Sequence, residues 1–223
     1  VKWFRTGNIR LSTLRRRRQR LLWSVGVCVL ALLAGISMRL HEARQVETNS
    51  PPWRYGNADA RFTLVFYADL ECPHCKDYSP QLRRWIDANP DVSLQWHHLP
   101  LSIHEPAASV QARFVECAGR TGGNTVFWSA VQWVYANTRN DGQGVPDVAA
   151  FPNTNAALTA CAASEEIAAF VQEQVDTALA SGITATPSLR LMDNTSGQSL
   201  VLSGQVPGDV LLSAIDSLVA IEK

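Results

Sequence analysis

Beyond residue 60 the apolar positions of the chain change period several times, and each change predicts an element. The run Phe62-Thr63-Leu64-Val65-Phe66-Tyr67 predicts a first strand, and a helix is expected from Pro73 to Ala88, ending before Asn89-Pro90. Val92 to His98 alternates Val, Leu and Trp with Ser, Gln and His, the period of a half-buried strand. From Glu105 to Ser181 the chain turns Ala-rich with apolar residues at helical spacing. Helices are expected over Pro106–Gly119, Asn124–Asn137, Asn155–Ala162 and Ser164–Ser181, the last opening on a Ser N-cap with two first-turn acids. Ser188–Met192 and Gln198–Leu202 flank Asp193-Asn194-Thr195-Ser196-Gly197 and predict an antiparallel hairpin. Pro207-Gly208-Asp209 then starts a terminal helix to Ile221, with Val210, Leu211, Ala214, Ile215, Leu218 and Val219 on its apolar face. No internal repeat is visible, and the class is α/β.

The N-terminal region has a different pattern. Residues 1–20 hold eight basic side chains and no acid, and residues 21–38 follow without a charge. At about 1.5 Å per residue, eighteen residues make a slightly short membrane span, and the basic flank is expected on the cytoplasmic side. The reading is a basic cytoplasmic segment at 1–20, a transmembrane signal anchor at 21–38, a polar linker at 39–60 carrying Pro51-Pro52, and a folded domain at 61–223 with a helical insert at about 105–181. A cleaved signal is the alternative, although no convincing small-x-small cleavage site follows Met38. The expected location is a bacterial inner membrane, crossed once, with the catalytic domain periplasmic.

Charge is neutral overall and asymmetric in distribution. Beyond residue 40 there are twenty acidic and eleven basic side chains, a formal charge of −9. That excludes a nucleic-acid role for the exported part, and the Arg run fits topology and anionic headgroups.

Five cysteines suit an extracytoplasmic setting. Cys28 lies in the apolar segment and reads as a small filler. Cys72-Pro73-His74-Cys75 sits between the first strand and its helix, where a helix N-terminus favours a thiolate on the leading sulfur. Cys72 is the candidate nucleophile and leaving group, and His74 can favour its thiolate form. Zinc sites use the same spacing, but a structural zinc site needs a second ligand pair, and neither Cys117 nor Cys161 has a close cysteine partner. No metal and no cofactor is expected. His97, His98 and His104 are assigned no function, and Trp128, Trp133 and Tyr135 are read as packing of the insert, with the lining of a substrate groove near the dithiol as the alternative.

Strand, helix, strand, helical block, hairpin and helix is the order of a thioredoxin fold with an insertion, and from Arg61 to Lys223 the chain resembles the DsbA-like thiol-disulfide oxidoreductases. The resemblance rests on Asp69-Leu70-Glu71-Cys72-Pro73-His74-Cys75 with Pro80 beyond it, on Thr184-Ala185-Thr186-Pro187-Ser188, and on cysteines at 117 and 161. It implies a cis Pro187 facing the dithiol, with the Thr186 backbone pairing an extended substrate segment. It also implies a structural disulfide between Cys117 and Cys161, two free thiols being the alternative. One position departs from the family: an acid is common six residues before the first cysteine, and Phe66 stands there. Asp69 and Glu71 are candidates for proton handling in its place, or are simply solvated.

The resemblance further implies oxidation of cysteine pairs in envelope proteins, with a membrane partner reoxidising the dithiol. A reductase or isomerase of envelope disulfides is the alternative enzyme. A thioredoxin-like module that binds metal or a partner without turnover is the alternative of another class.

Overall fold

Phe62–Ala68 is buried along its whole length, because apolar layers cover both faces of the sheet it centres. The computed structural model of the protein describes Gly35 and residues 51–221. The expected segment 1–20, the expected anchor at 21–38 apart from Gly35, and residues 39–50 lie outside the described residues. Among the described residues no helix is long and apolar enough to cross a membrane.

The strands are β1 (Arg54–Gly56), β2 (Phe62–Ala68), β3 (Val92–His98), β4 (Ser188–Asp193) and β5 (Ser199–Ser203), ordered β1-β3-β2-β4-β5. β2 and β3 run parallel and the other pairs antiparallel, with Phe66 opposite both Trp96 and Leu189. The helices are α1 (Pro73–Ala88), α2 (Ala107–Gly122), α3 (Asn124–Asn137), α4 (Ala156–Ala162), α5 (Glu165–Ala180) and α6 (Gly208–Ile221), with short 3-10 turns at Ser102–His104 and Val148–Ala150.

One face of the sheet presents Leu64, Phe66, Leu94, Trp96, Leu189 and Leu191 to a large core shared with α1, α6 and the insert helices. On the other face Val65 and Tyr67 pack with Leu99, Ala178 and Ile183 beneath α5. Burial of these side chains, at roughly 25 cal/mol per Å2 of apolar surface, is the main force holding the layers together. Local signals set the helix ends. Pro73 occupies the first turn of α1, where its missing N–H costs nothing, and Ser164 caps α5 by accepting the Ile167 N–H.

Three expectations are corrected. The linker read over 39–60 enters the fold before its end: β1 pairs with β3, and Trp53 is buried, stacked on Phe127 at 4.9 Å and donating to Glu116 Oε2 at 2.6 Å. A three-residue strand has no room to show an alternating pattern. The helix expected to stop at Gly119 runs to Gly122, because the turn is made at Gly123, whose φ of 85° suits glycine. Val210 is exposed instead of facing the sheet, while Leu211, Ala214 and Leu218 carry the buried face of α6.

Candidate active site

Cys72 is the N-cap of α1, so its sulfur sits at the positive end of the helix. Its pKa is lowered to about 5, first by the hydrogen bond from the Cys75 thiol and then, against the cost of burial, by Thr186 and the backbone N–H groups of Cys75 and His74. Residue 74 thus acts on the sulfur through its backbone, while its imidazole is exposed. Pro73 is half-buried between them. Cys75 is fully enclosed, and burial, followed by the neighbouring Cys72, pushes its pKa well above that of a free thiol. The two thiols are unbonded. A low-pKa sulfur with residual access beside an enclosed high-pKa sulfur separates an attackable centre from a resolving one.

The loop ahead of β4 lies against this pair. The Thr186–Pro187 bond is cis, Pro187 is buried, and the Cys72 thiol faces the Thr186 carbonyl oxygen at 3.6 Å.

Asp69 and Glu71 are not solvated, which corrects one of the two alternatives drawn for them: they are 1% and 0% exposed. Each holds a different loop. Asp69 Oδ1 accepts the Glu71 N–H at 2.8 Å, and its Oδ2 accepts the Leu101 N–H at 2.9 Å and meets His104 Nδ1 at 2.7 Å. Glu71 accepts from the Thr138 hydroxyl and from the Gly144 N–H, while its own carbonyl takes the Asp141 N–H. The tripeptide Asp69-Leu70-Glu71 ahead of the dithiol therefore fixes the Leu99–Glu105 loop on one side and the Thr138–Gly144 loop on the other. Burial raises the Asp69 pKa, and the His104 hydrogen bond is the first of the effects opposing it. The backbone of Asp69 also hydrogen-bonds Cys75 in the sense that favours its thiolate.

Phe66, at the position where an acid is common in the family, packs edge-on to Tyr78 and Trp96. Tyr135 reaches this cluster from α3, with its ring 6.3 Å from Trp96 and its hydroxyl donating to the Asp69 carbonyl. Burial, then the neighbouring charges of Cys75, Asp69 and Cys72, push its pKa well above the ordinary tyrosine value. From the sequence Tyr135 reads as packing of the insert or as lining of a substrate groove near the dithiol, and His104 has no role. Neither is adjacent to the motif along the chain. The spacing of Asp69 and Glu71 was the one available signal, since an Asp accepting the N–H two residues on is a common turn.

His98 belongs to a separate buried network. It accepts from Trp96 Nε1 through Nδ1, and its Nε2 lies 3.6 Å from Glu116, which also pairs with Arg120. His97 meets the Gln174 carbonyl at 2.8 Å. Trp128 and Tyr135 are buried and Trp133 is half-buried. Cys117 on α2 and Cys161 on α4 are joined by a disulfide, 44 residues apart in sequence. Among the described residues no group of three His, Cys, Asp or Glu is arranged to hold a metal ion.

Residues 48–200 match the family model described as thioredoxin. The crystal structure of Pseudomonas aeruginosa DsbA2 is similar with a TM-score of 0.72 and 47% identity, covering 76% of this chain and 94% of that one. Wolbachia pipientis alpha-DsbA1 shares the fold at 19% identity and a TM-score of 0.60, covering 77% of this chain and 95% of that one. A periplasmic thioredoxin-like protein from Salmonella enterica serovar Typhimurium does so at 21% and 0.56, covering 78% and 91%. Among curated proteins, Na(+)/H(+) antiporter NhaA 1 of Salinispora arenicola is 37% identical over 73 residues, 33% of this chain. The chain spans 11% of the length of the curated relatives it matches. The family model and the 47% identity across almost all of a DsbA protein agree with the dithiol geometry: the chain belongs to the thioredoxin family and, within it, to the DsbA-like thiol-disulfide oxidoreductases.

Proposed function

We propose that the protein oxidises cysteine pairs of extracytoplasmic proteins while anchored in the bacterial inner membrane by residues 21–38. In the disulfide state a substrate thiolate attacks Cys72 Sγ, the Cys72–Cys75 bond breaks, and Cys75 leaves and takes a proton. A second substrate thiolate attacks the first substrate sulfur, closing the substrate disulfide and releasing Cys72 as thiolate. Two electrons pass to the enzyme with one proton, that on Cys75, the other proton going to solvent, and a membrane partner, a quinone-linked oxidase, removes the electrons. Thr186 offers its backbone to an extended substrate segment, Pro187 shapes that loop, Pro73 and His74 set the ring of the dithiol, and the Cys117–Cys161 disulfide braces the insert.

The observation carrying this reading is the lowering of the Cys72 pKa to about 5 at the N-cap of α1. A stabilised thiolate favours the reduced enzyme, and so favours giving the disulfide away. The test is the reduction potential of the full chain equilibrated with glutathione, with the Cys72–Cys75 bridge scored by mass spectrometry. A value of roughly −120 to −150 mV supports the oxidase, and one of about −250 mV or lower makes the protein a reductase. No reversible couple at all leaves a module that binds without turnover. Replacing Cys75 by Ala traps mixed disulfides, many for a general oxidase and one or two for a dedicated one.

A further inference from the structure

The turn between β5 and α6 reaches back to the dithiol. Gln205, in that turn, donates from Nε2 to the His74 carbonyl oxygen at 2.9 Å, although the two are 131 residues apart in sequence. Its side chain is exposed, and an exposed amide bond of this kind ordinarily contributes little because water competes for both groups. Here the backbone on each side of it is fixed. The Gly204 N–H donates to the Pro187 carbonyl at 2.8 Å, and the Tyr78 hydroxyl on α1 donates to the Val206 carbonyl at 2.8 Å. Gly204 has a φ of 83°, a conformation that suits glycine, and Tyr78 and Val206 are buried. Three consecutive residues thus join the Pro187 loop, His74 and α1, and Gln205 is held over the dithiol motif by its neighbours.

The place of this bond matters more than its strength. The His74 carbonyl and the Cys75 N–H belong to one peptide group, which is planar and stiff. That N–H is one of the two backbone donors that favour the Cys72 thiolate. A donor on the oxygen of a peptide draws electron density toward it and leaves the N–H of the same peptide more positive, which strengthens the next bond in the chain by roughly 10–30%. It also restrains rotation of the plane, so the N–H keeps its direction when Cys72 passes from disulfide to thiolate.

We propose that Gln205 is a positioning residue for Cys72: its amide fixes and polarises the His74–Cys75 peptide, favours the dithiol over the disulfide, and so sets how strongly the protein gives its disulfide away. This deepens the thiol-exchange reading above and rests on it. A less basic Cys72 sulfur is also a better leaving group when a second substrate thiolate closes the substrate disulfide, so the same bond speeds the release of Cys72.

The test compares the full chain with Gln205→Leu, Gln205→Glu and Gln81→Leu. Gln81 is the matched control, an exposed glutamine on α1 whose amide donates to the Asp77 carbonyl at 3.0 Å, beyond the dithiol. Two quantities are read for each protein. One is the Cys72 titration, from thiolate absorbance against pH, and the other is the thiol–disulfide equilibrium with glutathione at about pH 7, with the Cys72–Cys75 bridge scored by mass spectrometry. Gln205→Leu is expected to move the Cys72 titration upward and to shift the equilibrium toward the disulfide by roughly threefold, about 14 mV at roughly 30 mV per tenfold. Gln205→Glu brings no N–H and adds a negative charge, so its shift is expected to be roughly tenfold, about 30 mV. Gln81→Leu should move neither. Because the effect runs through the thiolate, the two readouts change by the same factor. A shift in the equilibrium without one in the titration, or an equilibrium unmoved in both Gln205 variants, overturns the proposal and leaves thiol exchange standing. Urea unfolding of the disulfide form separates a general loss of fold: a loss there equal to that of the reduced form makes the role structural and also overturns it. A parent potential in the reductase range removes the oxidase reading, while the difference between parent and Gln205 variants still decides this one.

Discussion

His104 Nδ1 lies 2.7 Å from Asp69 Oδ2, an oxygen that also takes the Leu101 N–H, so one buried carboxylate joins the residues ahead of the dithiol to the loop after β3. Replacing His104 by Ala leaves that carboxylate buried with a partner missing. The expected cost is about 1–3 kcal/mol of stability, read from urea unfolding. The Asp69 pKa should rise further, since burial already raises it and the His104 hydrogen bond is the largest of the effects holding it down. Carboxyl-carbon NMR titration measures that rise directly, and an unmoved Asp69 would show that the pair is not coupled.

Cys72 makes the stability of the reduced protein depend on pH. Its folded pKa of about 5 lies below the free thiol value of 9.0. A depressed acid contributes stability that is complete above the unfolded value and is lost as pH falls through the folded one, so the window runs from about pH 9 down to pH 5. At pH 7 two units of that window remain, worth about 3 kcal/mol. The disulfide form has no Cys72 thiol to titrate. The stability of the reduced form relative to the oxidised form should therefore fall by about 3 kcal/mol between pH 7 and a pH below 5, provided only the Cys72–Cys75 bridge differs between samples. Paired urea titrations check this, and a difference that does not change with pH means the thiolate is not stabilised.

These two cases show what was legible in the chain. The Cys72 environment follows from local order: a strand, a dithiol and a helix opening on Pro73, all within a few residues, so helix N-terminal physics applies without knowing the rest of the fold. The Ser164 cap and the alternation of β3 are legible for the same reason. Asp69 and His104 are 35 residues apart and meet only because β2 and β3 run parallel and end together. Trp53 was unreadable on similar grounds, since its partners Glu116 and Phe127 lie more than sixty residues away and β1 is too short to show a period. Val210 fits a helical stripe by spacing, but only the position of α6 against β4 decides which edge of the stripe is covered.

Gly119 on α2 has no room for a side chain, because a Cβ there would lie 2.6 Å from the Trp53 ring. Gly119→Ala would ordinarily favour a helix. Here the ring cannot move easily, being stacked on Phe127 and hydrogen-bonded to Glu116. The variant is expected to lose about 1–3 kcal/mol, the range for overpacking a filled core. Unfolding by urea measures the loss, and a neutral or stabilising result would mean that the segment before β1 is not locked to the insert.

The Cys117–Cys161 disulfide links α2 to α4 across 44 residues that include α3 and the irregular stretch after it. Its cross-link restricts the unfolded chain, and for loops of this size the contribution is roughly 2–4 kcal/mol. The Cys117→Ala/Cys161→Ala double variant should lower stability by about that amount. The groups that lower the Cys72 pKa are Cys75, Thr186 and His74, none of them on α2 or α4, so its titration near pH 5 should persist in the folded variant. Thiolate absorbance against pH, measured beside the unfolding curve, separates the two effects. A displaced Cys72 titration would show that the insert reaches the dithiol through the Glu71 contacts with Thr138 and Gly144, and that bracing the insert is part of tuning the sulfur.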